Sequence, residues 1–330
     1  MKSKVWPHLL RAFVSIIAIG LLIYFMRDKL HEAAKILQSE VIWSWFVIGN
    51  LTYLVGLAIL AARLLIVFRV QSIHLSFPES FYLGFVGLFF NLIFPSAVGG
   101  DIAKAYYAYK HSGKKLASMT AVITDRLMGF VALILMAIVA LFFLRDQLND
   151  PRLDMTICGA LVGVVFSMVF FASKRFARQF KFLLHLIPSV SLKNRMNEAY
   201  HAVHKFRHHY GILFFCVGLS LLAQSVFVLV HYWVTRSLNV SIDLALYFIF
   251  VPVITIASMV PSLGGLGFRE VGVTYLFSRY MSSERALAVA VLLDVIIYGF
   301  SFVGGLIYLM QGGLKKKMIH EMETLSHVSE

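Results

Sequence analysis

Long apolar runs, separated by short charged stretches, fill this chain. Continuous runs cover about 9–26, 41–67, 117–144, 154–173, 211–235 and 285–311. Each approaches or exceeds the ~20 residues that a helix needs to cross a hydrocarbon core of ~30 Å. Two further apolar segments, about 78–110 and 244–279, are interrupted by proline and glycine. The first reads Pro95-Ser96-Ala97-Val98-Gly99-Gly100-Asp101, with Lys104 beyond it. The second reads Pro261-Ser262-Leu263-Gly264-Gly265-Leu266-Gly267, followed by Phe268-Arg269-Glu270. Such breaks free backbone groups that lipid cannot satisfy, so this backbone must be buried in protein or line a wet cavity. The pattern predicts an all-α integral membrane protein, with six full spans and two re-entrant hairpins of paired half-helices.

The two interruptions resemble each other beyond their Pro-Ser and Gly-Gly pairs. Each is followed by Ala-Val-x-x-Asp, at Ala121–Asp125 and Ala290–Asp294, and then by Gly-Phe, at Gly129-Phe130 and Gly299-Phe300. An internal repeat is expected, with halves of roughly 1–150 and 151–330 inside a single transmembrane domain. Chance recurrence of short Pro/Gly pairs is the plainer explanation, and the doubled Ala-Val-x-x-Asp weighs against it.

Composition fits this picture: 59% of residues are hydrophobic and 14% charged, against about 25% charged in soluble domains. Cys158 and Cys216 both fall in apolar runs, as small core residues do, and suggest no disulfide framework. The run at 9–26 is followed by Arg27-Asp28-Lys29 instead of a small-residue cleavage site, so it reads as an uncleaved span.

The net charge of +13 is distributed unevenly. Basic residues gather at the N-terminus, at Arg63 and Arg69, at Lys110, Lys114 and Lys115, through 174–209, and at Lys315–Lys317. Placing these in the cytoplasm satisfies the positive-inside rule and gives a multi-pass protein with both termini cytoplasmic. The parity then has the first hairpin entering from the cytoplasm and the second from outside, an inverted-topology repeat. The excess charge is explained by topology, so no nucleic-acid partner is expected.

Within 174–209, Met196, Tyr200, Val203, Phe206 and Tyr210 recur at helical spacing among basic residues. This predicts an amphipathic cytoplasmic helix on the inner leaflet. His201, His204, His208 and His209 have metal-like spacing, with only Glu198 near to complete a set. A solvated or lipid-facing stretch fits better, and no metal is expected.

Ionisable residues inside a membrane are costly, and they are usually functional or paired. The chain offers Arg63, Lys104, Arg126 and Arg269 against Asp101, Asp125, Glu270 and Asp294, four of each sign. Asp125 and Arg126 are adjacent, so they point to different helix faces and do not pair with each other. Half-helices starting near Asp101 and Phe268 present free N–H groups and the positive end of a dipole, which suits phosphate or carboxylate. The Gly99-Gly100 and Gly264-Gly265 pairs let backbone approach a ligand closely. Lys104 and Arg269 can add charge-assisted bonds, Asp101 and Glu270 can cap their helices, and Asn91 can serve freed backbone or a headgroup. The ligand-binding candidates are therefore Asn91, Pro95, Ser96, Gly99, Gly100, Asp101, Lys104, Asp125, Arg126, Pro261, Ser262, Gly264, Gly265, Gly267, Arg269, Glu270 and Asp294. A purely structural role, with Pro and Gly shaping turns and the charges forming a buried lock, competes with this assignment.

No cofactor is expected. The sequence has no Walker A loop, Gly-x-Ser-x-Gly elbow, His-Glu-x-x-His or paired Cys motif.

Through Asn91, Pro95, Gly99-Gly100-Asp101, Lys104, Asp125-Arg126, Pro261, Gly264-Gly265, Gly267 and Arg269-Glu270, the chain resembles the membrane region of bacterial lysylphosphatidylglycerol synthases and the flippase-like proteins made of that region alone. The resemblance covers about 10 to 310. It implies a bacterial inner-membrane protein that moves a lipid between leaflets, with the headgroup held where two re-entrant elements meet. The synthases continue into a soluble aminoacyl-transferase domain, whereas this sequence ends at Glu330. It is therefore not expected to attach lysine to lipid by that domain. The expected partner is a membrane lipid, an anionic phospholipid or a polyprenyl-linked lipid, moved without ATP. The oligomeric state is open, a homodimer included. The alternatives are a membrane enzyme that modifies a lipid or lipid-linked sugar headgroup with Asp101 or Glu270 as base, a small-molecule transporter, and a non-catalytic scaffold.

Overall fold

A computed structural model describes residues 35–93, 99–148, 210–258 and 267–310. The expected spans at 9–26 and 154–173 and the amphipathic segment at 174–209 lie outside the described residues. So do Pro95, Ser96, Pro261, Ser262, Gly264 and Gly265 at the centres of the two breaks.

Eight principal helices follow in order: α1 (Trp43–Val70), α2 (Phe77–Ile93), α3 (Gly99–Ser112), α4 (Lys115–Leu148), α5 (Tyr210–Arg236), α6 (Leu244–Ala257), α7 (Phe268–Phe277) and α8 (Ser283–Met310). No strand occurs among the described residues. Helices α1, α5, α8 and the Lys115–Ala140 part of α4 are long and apolar enough to cross a membrane. Their outward faces are also apolar. Trp43, Val47, Leu51 and Val55 line one side of α1, and Phe302, Leu306 and Leu309 one side of α8, all exposed. Water penalises such stripes and hydrocarbon accepts them.

The interrupted segments are pairs of short helices. α2 packs against α3, and α6 against α7. Local sequence explains where they begin. The Asp243 carboxylate accepts the Ala245 N–H at 3.0 Å and starts α6. Glu79 accepts the Ser76 N–H at 2.6 Å, a reciprocal cap at the start of α2. α7 starts at Gly267, whose φ of 89° is open to glycine and strained for other residues.

Among the described residues, α1–α4 and α5–α8 follow one order: long helix, short helix, short helix, long helix. The turn after α1 holds a left-handed Ser72 (φ 57°), and the turn after α5 a left-handed Asn239 (φ 55°). Contacts between the two sets are exchanged in part, since α4 also packs on α5 without an equal packing of α8 on α1. α1 packs on α5, α2 on α8, and α6 on α4.

Small residues set the closest approach. A Cβ at Gly304 of α8 would collide with the Phe85 carbonyl of α2, and one at Gly305 with the Phe89 ring. Such small residues let membrane helices approach backbone to backbone. Gly304→Val is therefore expected to cost about 2 kcal/mol through overpacking. Gly218→Ala, where nothing lies within 4 Å, is expected to leave the thermal midpoint in detergent unchanged or slightly raised. Thermal unfolding of both variants checks this, and equal midpoints would refute the close packing of α2 on α8.

Candidate functional site

The described candidates fall into three groups of ionisable side chains. The first lies at the start of α3. The Gly100 N–H donates to Asn91 Oδ1 at 2.7 Å, so Asn91 satisfies one of the amides freed by the break. A Cβ on Gly100 would strike the Gly87 carbonyl, and one on Gly87 would strike Lys104 Cε. Glycine at both positions thus lets the two arms cross closely and brings Lys104 against α2. Asp101, in the first turn of α3, is ion-paired with Arg126 Nη1 of α4 and lies 3.5 Å from Lys104 Nζ. The Arg126 guanidinium also lies 5.5 Å from the Phe130 ring centroid. Side-chain exposures of 18% for Asp101, 20% for Lys104 and 30% for Arg126 leave this group reachable. Among the described residues, one carboxylate faces two cations here.

The second group is buried between helices. Arg63 of α1 donates from Nε to Asp125 Oδ1 at 2.7 Å and from Nη2 to Oδ2 at 2.9 Å, a two-pronged pair with α4. Its Nη1 donates to the Ser220 hydroxyl of α5 at 2.7 Å, and Ser220 donates onward to the Cys216 carbonyl. The guanidinium lies against Gly129, one turn after Asp125, with room for ordinary contact there. Asp125 and Arg126 thus diverge, one towards α1 and the other towards α3.

The third group lies at the start of α7. Glu270 turns back to accept the Gly267 N–H and caps the helix. Arg269 is ion-paired with Asp294 of α8, lies 3.8 Å from Glu270 Oε1, and donates to the Tyr298 hydroxyl at 2.9 Å. Its guanidinium also lies 5.4 Å from the Tyr298 ring centroid. Arg269 and Glu270 are almost fully buried, unlike the group on α3.

The chain matches, over residues 9–305, the family described as lysylphosphatidylglycerol synthase TM region. It belongs to this family. No curated protein matches it. Together with the four long apolar helices, membership makes this a multi-pass membrane protein. The family assignment agrees with the resemblance carried by the two breaks.

Sequence reasoning singled out the charged members of all three groups and missed their neutral partners. Ser220 and Tyr298 were not among the candidates. Tyr298 lies four residues after Asp294, on the same helix face, and that spacing was the available signal. Gly87 had no sequence signal, because its role depends on the crossing of α2 and α3.

Proposed function

We propose that the protein is a lipid transporter that works without ATP, moving a phospholipid or lipid-linked headgroup between the leaflets of the bacterial inner membrane. The family's printed description supports a lipid-related role in a membrane. The observation that carries the reading is the accessible group on α3, where Lys104 and Arg126 flank Asp101 next to a break. An anionic headgroup entering there exchanges Asp101 for its own oxygens as partner of the two cations. Arginine offers parallel donors that match a phosphate, and lysine a mobile point charge. The acyl chains stay in the bilayer, against apolar outer faces such as that of α8.

The shared plan of the two halves and their exchanged contacts support an inverted repeat with two re-entrant hairpins. Rocking of one half against the other then gives alternating access, as in other repeat-built transporters. Basic loop charge supports cytoplasmic termini. The enzymatic alternative requires Asp101 or Glu270 as a base. Asp101 lies between two cations, and Glu270 uses Oε2 to cap its helix.

The purified full chain, reconstituted with a fluorescent phosphatidylglycerol in one leaflet, separates the two readings. The transporter reading expects leaflet exchange with the lipid recovered at unchanged mass. A new lipid species appearing in proportion to protein, without exchange, would replace it with the enzymatic one.

A further inference from the structure

The acids of the two halves occupy matched positions, but the cations do not. Asp101 and Glu270 are each the third residue of their helices, α3 and α7, while Asp125 and Asp294 share the Ala-Val-x-x-Asp motif. Around the first two acids stand Arg63, Lys104 and Arg126. Around Glu270 and Asp294 the described residues supply Arg269 alone. Among these eight residues the signs therefore balance four to four, but not within either set of helices. The second break itself, 259–266, contains no ionisable residue.

Both acids converge on one nitrogen. Arg269 Nη2 contacts Asp294 Oδ1 and Glu270 Oε1 and also donates to Tyr298. The two carboxylates thus face the same guanidinium nitrogen from two helices, α7 and α8. Glu270 Oε1 is buried without a hydrogen-bond partner, and its residue is 3% exposed. One guanidinium neutralises one carboxylate. A second buried negative charge is expensive, and two carboxylates sharing a site do not both ionise readily. A single proton on one of the two acids removes the surplus charge.

Other facing groups do not alter this count. α1 carries Tyr53, whose ring packs on Phe300 of α8, and α5 carries His231. His231 Nδ1 is engaged by the Phe227 carbonyl at 2.9 Å. α8 adds Tyr298. The titratable side chain of α6 is Tyr247, whose ring packs on Phe277 at the far end of α7. No three His, Cys, Asp or Glu converge among the described residues, so a metal ion has no ligand set here.

We infer that Glu270 and Asp294 form a proton-binding site, holding one exchangeable proton beside Arg269, and that its occupancy is linked to headgroup movement. The linkage rests on the transport reading above; the proton site does not.

Infrared spectroscopy of the full chain in lipid tests the site. The wild type is expected to show, near neutral pH, a protonated-carboxyl band that shifts in deuterated water. Glu270→Gln and Asp294→Asn are each expected to abolish it, because one remaining acid beside Arg269 ionises. Asp243→Asn, at an exposed helix cap, is expected to keep it. Absence of the band in wild type, or its survival in both variants, overturns the site, and the wild-type result stands even if a variant fails to fold. For the linkage, a pH gradient across proteoliposomes is expected to change leaflet exchange several-fold in wild type and not in Asp294→Asn. Exchange indifferent to the gradient in wild type overturns the linkage. If no vesicle shows exchange, the transport reading fails and the linkage with it, while the band still decides the proton site.

Discussion

Arg63→Ala is expected to remove most of the folded protein from detergent extracts. Arg63 joins three helices, through two bonds to Asp125 of α4 and one to Ser220 of α5. Both members of the pair are almost fully buried. Removing the guanidinium leaves Asp125 charged and unpaired, at a cost of about 3–5 kcal/mol. That approaches the whole stability of many domains, about 5–15 kcal/mol. Asp125→Ala carries the mirror-image penalty. The paired replacement Arg63→Met with Asp125→Leu is expected to recover much of the loss, since an apolar pair of similar volume often matches a buried ion pair. Yield of monodisperse protein and thermal midpoint read this directly. A wild-type midpoint for Arg63→Ala would show that the pair does not hold α1, α4 and α5 together.

Arg126→Glu is expected to have the largest effect on lipid handling with a small effect on folding. Arg126 is partly exposed, so its change leaves no buried charge stranded. The new carboxylate stands beside Asp101 and repels an anionic headgroup. Loss of one charge-assisted contact, worth about 1.5–3 kcal/mol, weakens binding at least about tenfold, and the reversed charge adds to this. Lys104→Gln is expected to act in the same direction and less strongly, because its ammonium forms no planar fork. Titration of the purified protein with a short-chain anionic phospholipid measures both. Unchanged affinity in Arg126→Glu would move the headgroup site away from α3.

Much of this arrangement was legible in the residues. Hydrophobic length placed the described long helices to within a few residues: the run at 211–235 becomes Tyr210–Arg236, and that at 285–311 becomes Ser283–Met310. Proline and glycine in the sequence fall between α2 and α3 and between α6 and α7. Adjacency alone separated Asp125 from Arg126, since neighbours on a helix diverge. Partner choice was not legible. Arg63 finds Asp125 62 residues away and Ser220 157 away, and such pairings follow from helix packing that leaves no periodic trace. The asymmetry between the halves was hidden for a related reason. The repeated Ala-Val-x-x-Asp motif contains Asp125 and Asp294, whereas the cations sit outside it, and only their placement shows which acids share one.

The most direct test of the account compares leaflet exchange of an anionic and a zwitterionic fluorescent phospholipid in proteoliposomes of wild type, Arg126→Glu and protein-free controls. The account predicts fast exchange of the anionic lipid by wild type, slower exchange of the zwitterionic one, and a fall of the anionic rate towards the protein-free level in Arg126→Glu. Anionic exchange by Arg126→Glu at the wild-type rate, or wild-type exchange no faster than in protein-free vesicles, would contradict it.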